Sequence, residues 1–134
     1  MGQSAEQDTA GQLTCSDPLI FADTAHRYVQ LHGELDLYTT PGLERFLDEL
    51  RREGHRHITL DLSELQFLSA AGLSMFVRVD QALDAVGGRL VLTQPTRITR
   101  RILAITGLDA ILTIQPVQQE WIATVQRVDL EGVQ

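Results

Sequence analysis

The chain has 134 residues, the size of one ordinary domain. Hydrophobic residues make up 43% and charged residues 22%, a globular balance that excludes wholesale disorder. Lys and Arg number 11 against 18 Asp and Glu, and the formal charge of −7 gives no support to a surface for nucleic-acid phosphate or anionic lipid. The single cysteine, Cys15, can form no internal disulfide and no four-thiolate metal site, which points to a reducing, cytoplasmic setting.

In chain order, residues 1–16 read as a flexible, solvated tail with neither the basic nor the apolar region of a secretory signal. No later stretch approaches the roughly 20 apolar residues that span a bilayer. The folded domain is expected over 17–134. Leu19-Ile20-Phe21-Ala22 is a short apolar run, and Arg27 to Leu37 alternates as a half-buried strand. Asp23 to His26 reads as the hairpin turn between them. Thr40 and Pro41 read as the cap and first position of a helix. Its apolar stripe is Leu43, Phe46, Leu47 and Leu50, and Gly54 stops it.

His57 to Leu62 is a strand, followed by a loop and a second helix that opens at Ser69. Met75, Phe76, Val79, Leu83 and Val86 recur at helical spacing until Gly87-Gly88. Leu90 to Leu92 is a buried strand. Arg97 to Thr106 is a third helix with Ile98, Ile102, Leu103 and Ile105 expected inward. Ile111 to Ile114 is a last strand, and Trp121, Ile122, Val125 and Val128 mark a final helix. The expected fold class is therefore α/β. It has a mixed sheet of four or five strands and about four helices, near 40–53, 70–86, 97–106 and 117–128.

Little in this order assembles an active site. Walker A and GxGxxG spacings are absent, and Gly87-Gly88 follows a helix and not a strand. His55 and His57 are two ligands short of a zinc site and read as loop histidines. Cys15 has no basic neighbour to activate it. Asp48 and Glu49 sit beside Arg51 and Arg52 and read as a solvated charged face. Arg97, Arg100 and Arg101 could meet an acidic partner, although solubilising charge is the simpler reading. No nucleophile–base pair is visible, so the expectation is a non-enzyme without cofactor or metal.

The distinctive region runs from Asp61 to Leu73. There a strand ends and Ser69, Ala70, Ala71 and Gly72 open a helix, leaving backbone N–H groups approachable. Gly33-Glu-Leu-Asp36, Asp61-Leu-Ser63 and Phe67-Leu-Ser-Ala-Ala-Gly-Leu73 together resemble the STAS domain of bacterial anti-sigma-factor antagonists. Gly87-Gly88-Arg-Leu and Ile102-Leu-Ala-Ile-Thr-Gly-Leu108 match later landmarks, and the likeness runs in order from about residue 18 to about 128. The resemblance implies a single STAS-type domain that takes part in partner switching. The partner it implies is a cytoplasmic anti-sigma factor of the histidine-kinase-like ATPase (serine kinase) type. It also implies a partner-binding rim at Asp36, Ser69, Ala70, Ala71, Gly72 and Leu73.

The match departs at the family's phosphoacceptor. The family reads Phe-(Leu/Met)-Asp-Ser-(Ser/Ala)-Gly-Leu, whereas here Ser69 stands at the Asp position and Ala70 at the acceptor. Ser69 is the remaining phosphoacceptor candidate, one residue early and turned by about 100° around the helix. An antagonist with an altered switch is thus the leading expectation. The alternative is a STAS accessory or scaffold subunit of a transporter or signalling complex.

Overall fold

The structure is a computed structural model and describes residues 26–117 and 125–132. Its elements are β1 (His26–Leu35), α1 (Thr40–Arg52), β2 (His57–Leu68), α2 (Ala70–Asp84), β3 (Arg89–Thr93), α3 (Arg97–Thr106), β4 (Thr113–Ile114) and β5 (Val125–Asp129). Short 3-10 turns follow α3 at Leu108–Ala110 and β5 at Leu130–Gly132. The sheet order is β4-β3-β2-β1-β5, and all four pairings are parallel. The α/β class and the five strands agree with expectation.

From β1 to β4 each crossover steps one strand in the same direction. Right-handed connections therefore place α1, α2 and α3 on one face. Val29 and Leu31, Ile58 and Leu60, and Leu90 and Leu92 meet Leu43, Leu47, Met75, Phe76 and Leu83 in one buried cluster. The other face of the central strands carries a buried polar row. Tyr28 Oη donates to Asp61 Oδ2 at 2.7 Å, Ser63 N donates to Asp61 Oδ1 at 2.9 Å, and His26 Nε2 lies 2.9 Å from Thr59 Oγ1. Burying the Asp61 carboxylate is tolerable because these donors replace water.

Several elements differ from the sequence reading. The sheet is parallel and not mixed over the described residues, because the hairpin partner expected at 19–22 lies outside them. The expected tail at 1–16 and Trp121 lie outside them too. The helix expected over 117–128 is overturned at its end: Val125–Asp129 is a strand paired with β1, leaving three helices described. Two valines three apart suit a helix stripe, but β-branched residues also suit a strand that covers the β1 edge.

Strand β2 runs through the expected loop to Leu68. Gln30 opposes Asp61 and His32 opposes Glu64, then Gly33 opposes Leu65 and Glu34 opposes Phe67, so β2 carries two extra residues. Each bulge flips the inward side, so Leu62, Leu65 and Leu68 are buried at steps of three and Phe67 is turned out. Gly33, at φ +115°, takes the backbone conformation that this irregular pairing requires. In α3 the inward residues are Thr99 and Leu103, while Ile98 and Ile105 face solvent. Val86 lies beyond α2, and Ile111 precedes a β4 of two residues.

Burial, and then the hydrogen bond to Asp61, push the Tyr28 phenol up from 10.0 to about 12. Tyr28→Phe leaves the buried Asp61 Oδ2 with only the long 3.5 Å bond from Gln94 Nε2 and should cost about 1–3 kcal/mol in urea unfolding at neutral pH. The native phenol also keeps its proton where the unfolded one has lost it. Stability from Tyr28 is therefore complete below its unfolded value of 10.0 and declines as pH rises toward about 12. Unfolding curves taken through that window should show a decline in wild type that Tyr28→Phe lacks.

Candidate functional site

The long strand β2 delivers the chain to the same end of the sheet as β1. Leu35 pairs with Leu68, and the next amide, Ser69 N–H, donates to the Leu35 carbonyl at 2.9 Å. That bond sets the start of α2 beside the loop that leaves β1. Ser69 is extended and its Oγ accepts from Gly72 N at 3.3 Å, so it caps α2 as its residue type predicts.

Across this junction Asp36 organises the loop into α1. Its Oδ1 accepts from Thr39 N and from Tyr38 N, both at 2.9 Å. In return Thr39 Oγ1 accepts from Asp36 N at 2.9 Å and donates to the Glu34 carbonyl at 2.7 Å. This is the reciprocal logic of a capping box. Helix α1 starts at Thr40 with Thr39, and not the expected Thr40, at its cap position. No side chain caps it; Asp36 organises the turn before it, and the Thr40 hydroxyl donates to the Asp36 carbonyl at 2.6 Å. The Thr39 backbone bond first, with that of Tyr38, holds the Asp36 carboxyl below its ordinary value.

The six rim residues do not share one surface. Ala70 is exposed, and Ser69, Ala71 and Asp36 are partly exposed. Gly72 and Leu73 are buried, which corrects their placement on an open rim. A Cβ on Gly72 would lie 2.8 Å from both Leu35 Cδ2 and Leu68 Cδ1, so a larger residue there would have to displace these two leucine side chains. The side chain of Leu73 points into the core cluster beside them. Asp36 belongs to the rim as an organiser, since its carboxylate is turned into its own loop.

Two residues of this surface were missed. The Asp36 turn pushes Leu37 and Tyr38 outward, at 69% and 82% exposure. The signal was available in Asp36-Leu-Tyr-Thr39, where a capping pair three apart leaves two residues on the outside of a turn. Leu37 and Pro41 border one open groove along Ala71 and Ser74. On the other flank, Thr106 and Leu108 border a second groove along Ala70 and Ser74. Arg78 closes the far end through two bonds to Glu44, at 3.0 and 2.7 Å. The outcome is a shallow apolar ledge around a small-residue helix start.

Elsewhere, Asp48 pairs with both Arg51 and Arg52, as a charged helix face would. His55 Nε2 lies 3.9 Å from Glu53, and His57 is exposed at the start of β2. Among the described residues no group of three or more His, Cys, Asp and Glu is arranged to hold a metal. Cys15 lies outside them.

Ser69→Ala should cost about 1 kcal/mol by removing the cap, whereas Ser69→Asp should keep it. Chemical denaturation of the two variants checks this: equal losses in both would mean that Ser69 does not hold the helix start.

Comparison with known proteins agrees with this architecture. The STAS domain family model matches residues 8–121. An anti-sigma-B factor antagonist of Staphylococcus aureus is 33% identical over 86 residues, covering 64% of this chain and 80% of that protein. The NMR structure of the protein TM1081 matches with a TM-score of 0.65 at 20% identity, covering 92% of this chain and 96% of that one. The anti-sigma factor antagonist SpoIIAA in its unphosphorylated form gives 0.62 at 22% identity, covering 72% and 85%. At these identities the two structures speak for the fold.

Proposed function

The chain belongs to the STAS domain family, and we propose that it is an anti-sigma factor antagonist held permanently in its binding-competent form. Its partner is a cytoplasmic anti-sigma factor of the serine-kinase type, and capture of that partner frees a sigma factor for transcription. The antagonist name of the 33% identical Staphylococcus aureus relative supports the coarse role. No helix among the described residues is long and apolar enough to cross a membrane, which accords with a cytoplasmic partner.

The observation that carries the reading is the side chain at the exposed start of α2. Ala70 is the first residue of the helix and open to solvent, where an incoming kinase would find a methyl group. Phosphoryl transfer needs an oxygen nucleophile, and Ala70 has none. The nearest hydroxyl, Ser69 Oγ, is directed at Gly72 N within its own helix. A phosphate would add about −1.5 to −2 charges to this ledge and expel a docked partner. Without an acceptor, that release step is missing.

Binding is assigned to the exposed residues of the junction: Ala70, Ala71 and Ser69, with Leu37 and Tyr38 alongside. Ala71→Arg puts a long cation into the contact without emptying the core, and should weaken partner binding about tenfold or more, or 1.4 kcal/mol. Unchanged affinity with an intact fold would remove the ledge from the interface.

Incubation with the cognate kinase and ATP, followed by intact-mass analysis, tests the missing switch. Wild type should keep its mass. Ser69→Asp with Ala70→Ser, which keeps a capping side chain and supplies the family's acceptor hydroxyl, should gain one phosphate. Stoichiometric phosphate on wild-type Ser69 would overturn the locked state.

A further inference from the structure

We propose that α3 is a second docking face, separate from the α2 ledge, and that it takes an acidic amphipathic helix of a protein partner. In a helix, residues three and four apart share a face, so Ile98, Ile102 and Ile105 form one stripe. A stripe of this kind ordinarily lies against the core. Here the core receives Thr99 and Leu103, with Ile102 packed partly against it, so that only the outer two isoleucines stay open. Thr96 Oγ1 donates to Thr99 Oγ1 at 3.1 Å on the inward side. Ile98 is left 66% exposed and Ile105 74% exposed.

The charge beside this stripe identifies what it fits. Arg97 and Arg101, four apart, flank Ile98 and Ile105, and Arg100 is exposed further round. The chain has no Asp or Glu from Ala85 to Leu108. Arg97, Arg100 and Arg101 have no carboxylate partner among the described residues. Arg27, Arg45 and Arg56 have none either, but they are scattered over separate segments, whereas these three share one helix. A chain of net charge −7 thus concentrates three unpaired cations on one ten-residue helix with exposed isoleucines.

A second copy of the chain would bring another −7 and is disfavoured as occupant. A nucleic acid would use the cations but would leave the isoleucines facing its phosphates. A helix with an apolar stripe flanked by Glu satisfies both features at once. The α2 ledge differs in kind, because its Arg78 is already bound to Glu44.

The test uses the full chain with two synthetic amphipathic helical peptides that share an Ile/Leu stripe, one flanked by Glu and one by Lys. Amide NMR shifts map the contact. The Glu peptide should shift the amides of 97–105 saturably, and its affinity should fall several-fold as salt rises from about 0.05 to about 0.5 M. Arg97→Glu with Arg101→Glu should weaken it at least about tenfold, with unchanged thermal unfolding. No saturable shift, equal binding of the Lys peptide, or shifts confined to Ala70 and Ala71 would each overturn the proposal. So would a concentration-dependent dimer lost on Ile105→Asp, which would make a second copy the occupant.

Discussion

The hydrogen bond from Ser69 N–H to the Leu35 carbonyl, at 2.9 Å, is the constraint on which the rest of the molecule's working end depends. It joins the last residue of β1 to the residue that caps α2. One contact thus decides where the loop into α1 and the start of α2 lie relative to each other. Gly72 lets the leucines pack closely against the helix start, since a Cβ there would push the Leu35 and Leu68 side chains aside. Asp36 then holds the neighbouring loop by a separate set of backbone bonds. The Ser69 cap and the Asp36 turn therefore stand at one end of the sheet, and the small residues beside them form the ledge.

The length of β2 is the second requirement. A strand ending at Leu62, as its alternation suggests, would stop short of Leu35 and leave the junction without a ladder. The two bulges let β2 continue while Leu65 and Leu68 still reach the core. They also disguise the strand in the sequence. Alternation survives from Ile58 to Leu62 and then becomes spacing by three, which matches neither a flat strand nor a turn signal. The same ambiguity misassigned Val125 and Val128, whose spacing suits a helix stripe and whose branching suits the edge strand they form.

Where local chemistry decides, the sequence was legible. Ser69 capped the helix expected of it, and the helix stripes of α1 and α2 turned inward. Where tertiary choice decides, it was not. Of the four apolar residues expected inward in α3, Leu103 is buried and Ile102 packs partly on the core, whereas Ile98 and Ile105 face solvent and Thr99 takes the inward place beside Leu103. Among the candidate site residues, Ala70 is exposed and Ala71 partly exposed. Gly72 and Leu73 serve the fit beneath them; alternation carried Leu37 into the expected strand, but β1 ends at Leu35 and the Asp36 turn exposes Leu37 and Tyr38.

Function then rests on a subtraction. On the proposed reading, the exposed start of α2 meets the partner with a methyl group at Ala70, where a phosphoacceptor would need a hydroxyl. The most direct measurement is a time course of sigma-factor release from the cognate anti-sigma kinase after this chain and ATP are added. A locked antagonist predicts release that reaches a plateau and stays there while ATP is consumed. Release that rises and then decays, with the sigma factor recaptured, would contradict the account by showing that the chain is still switched off.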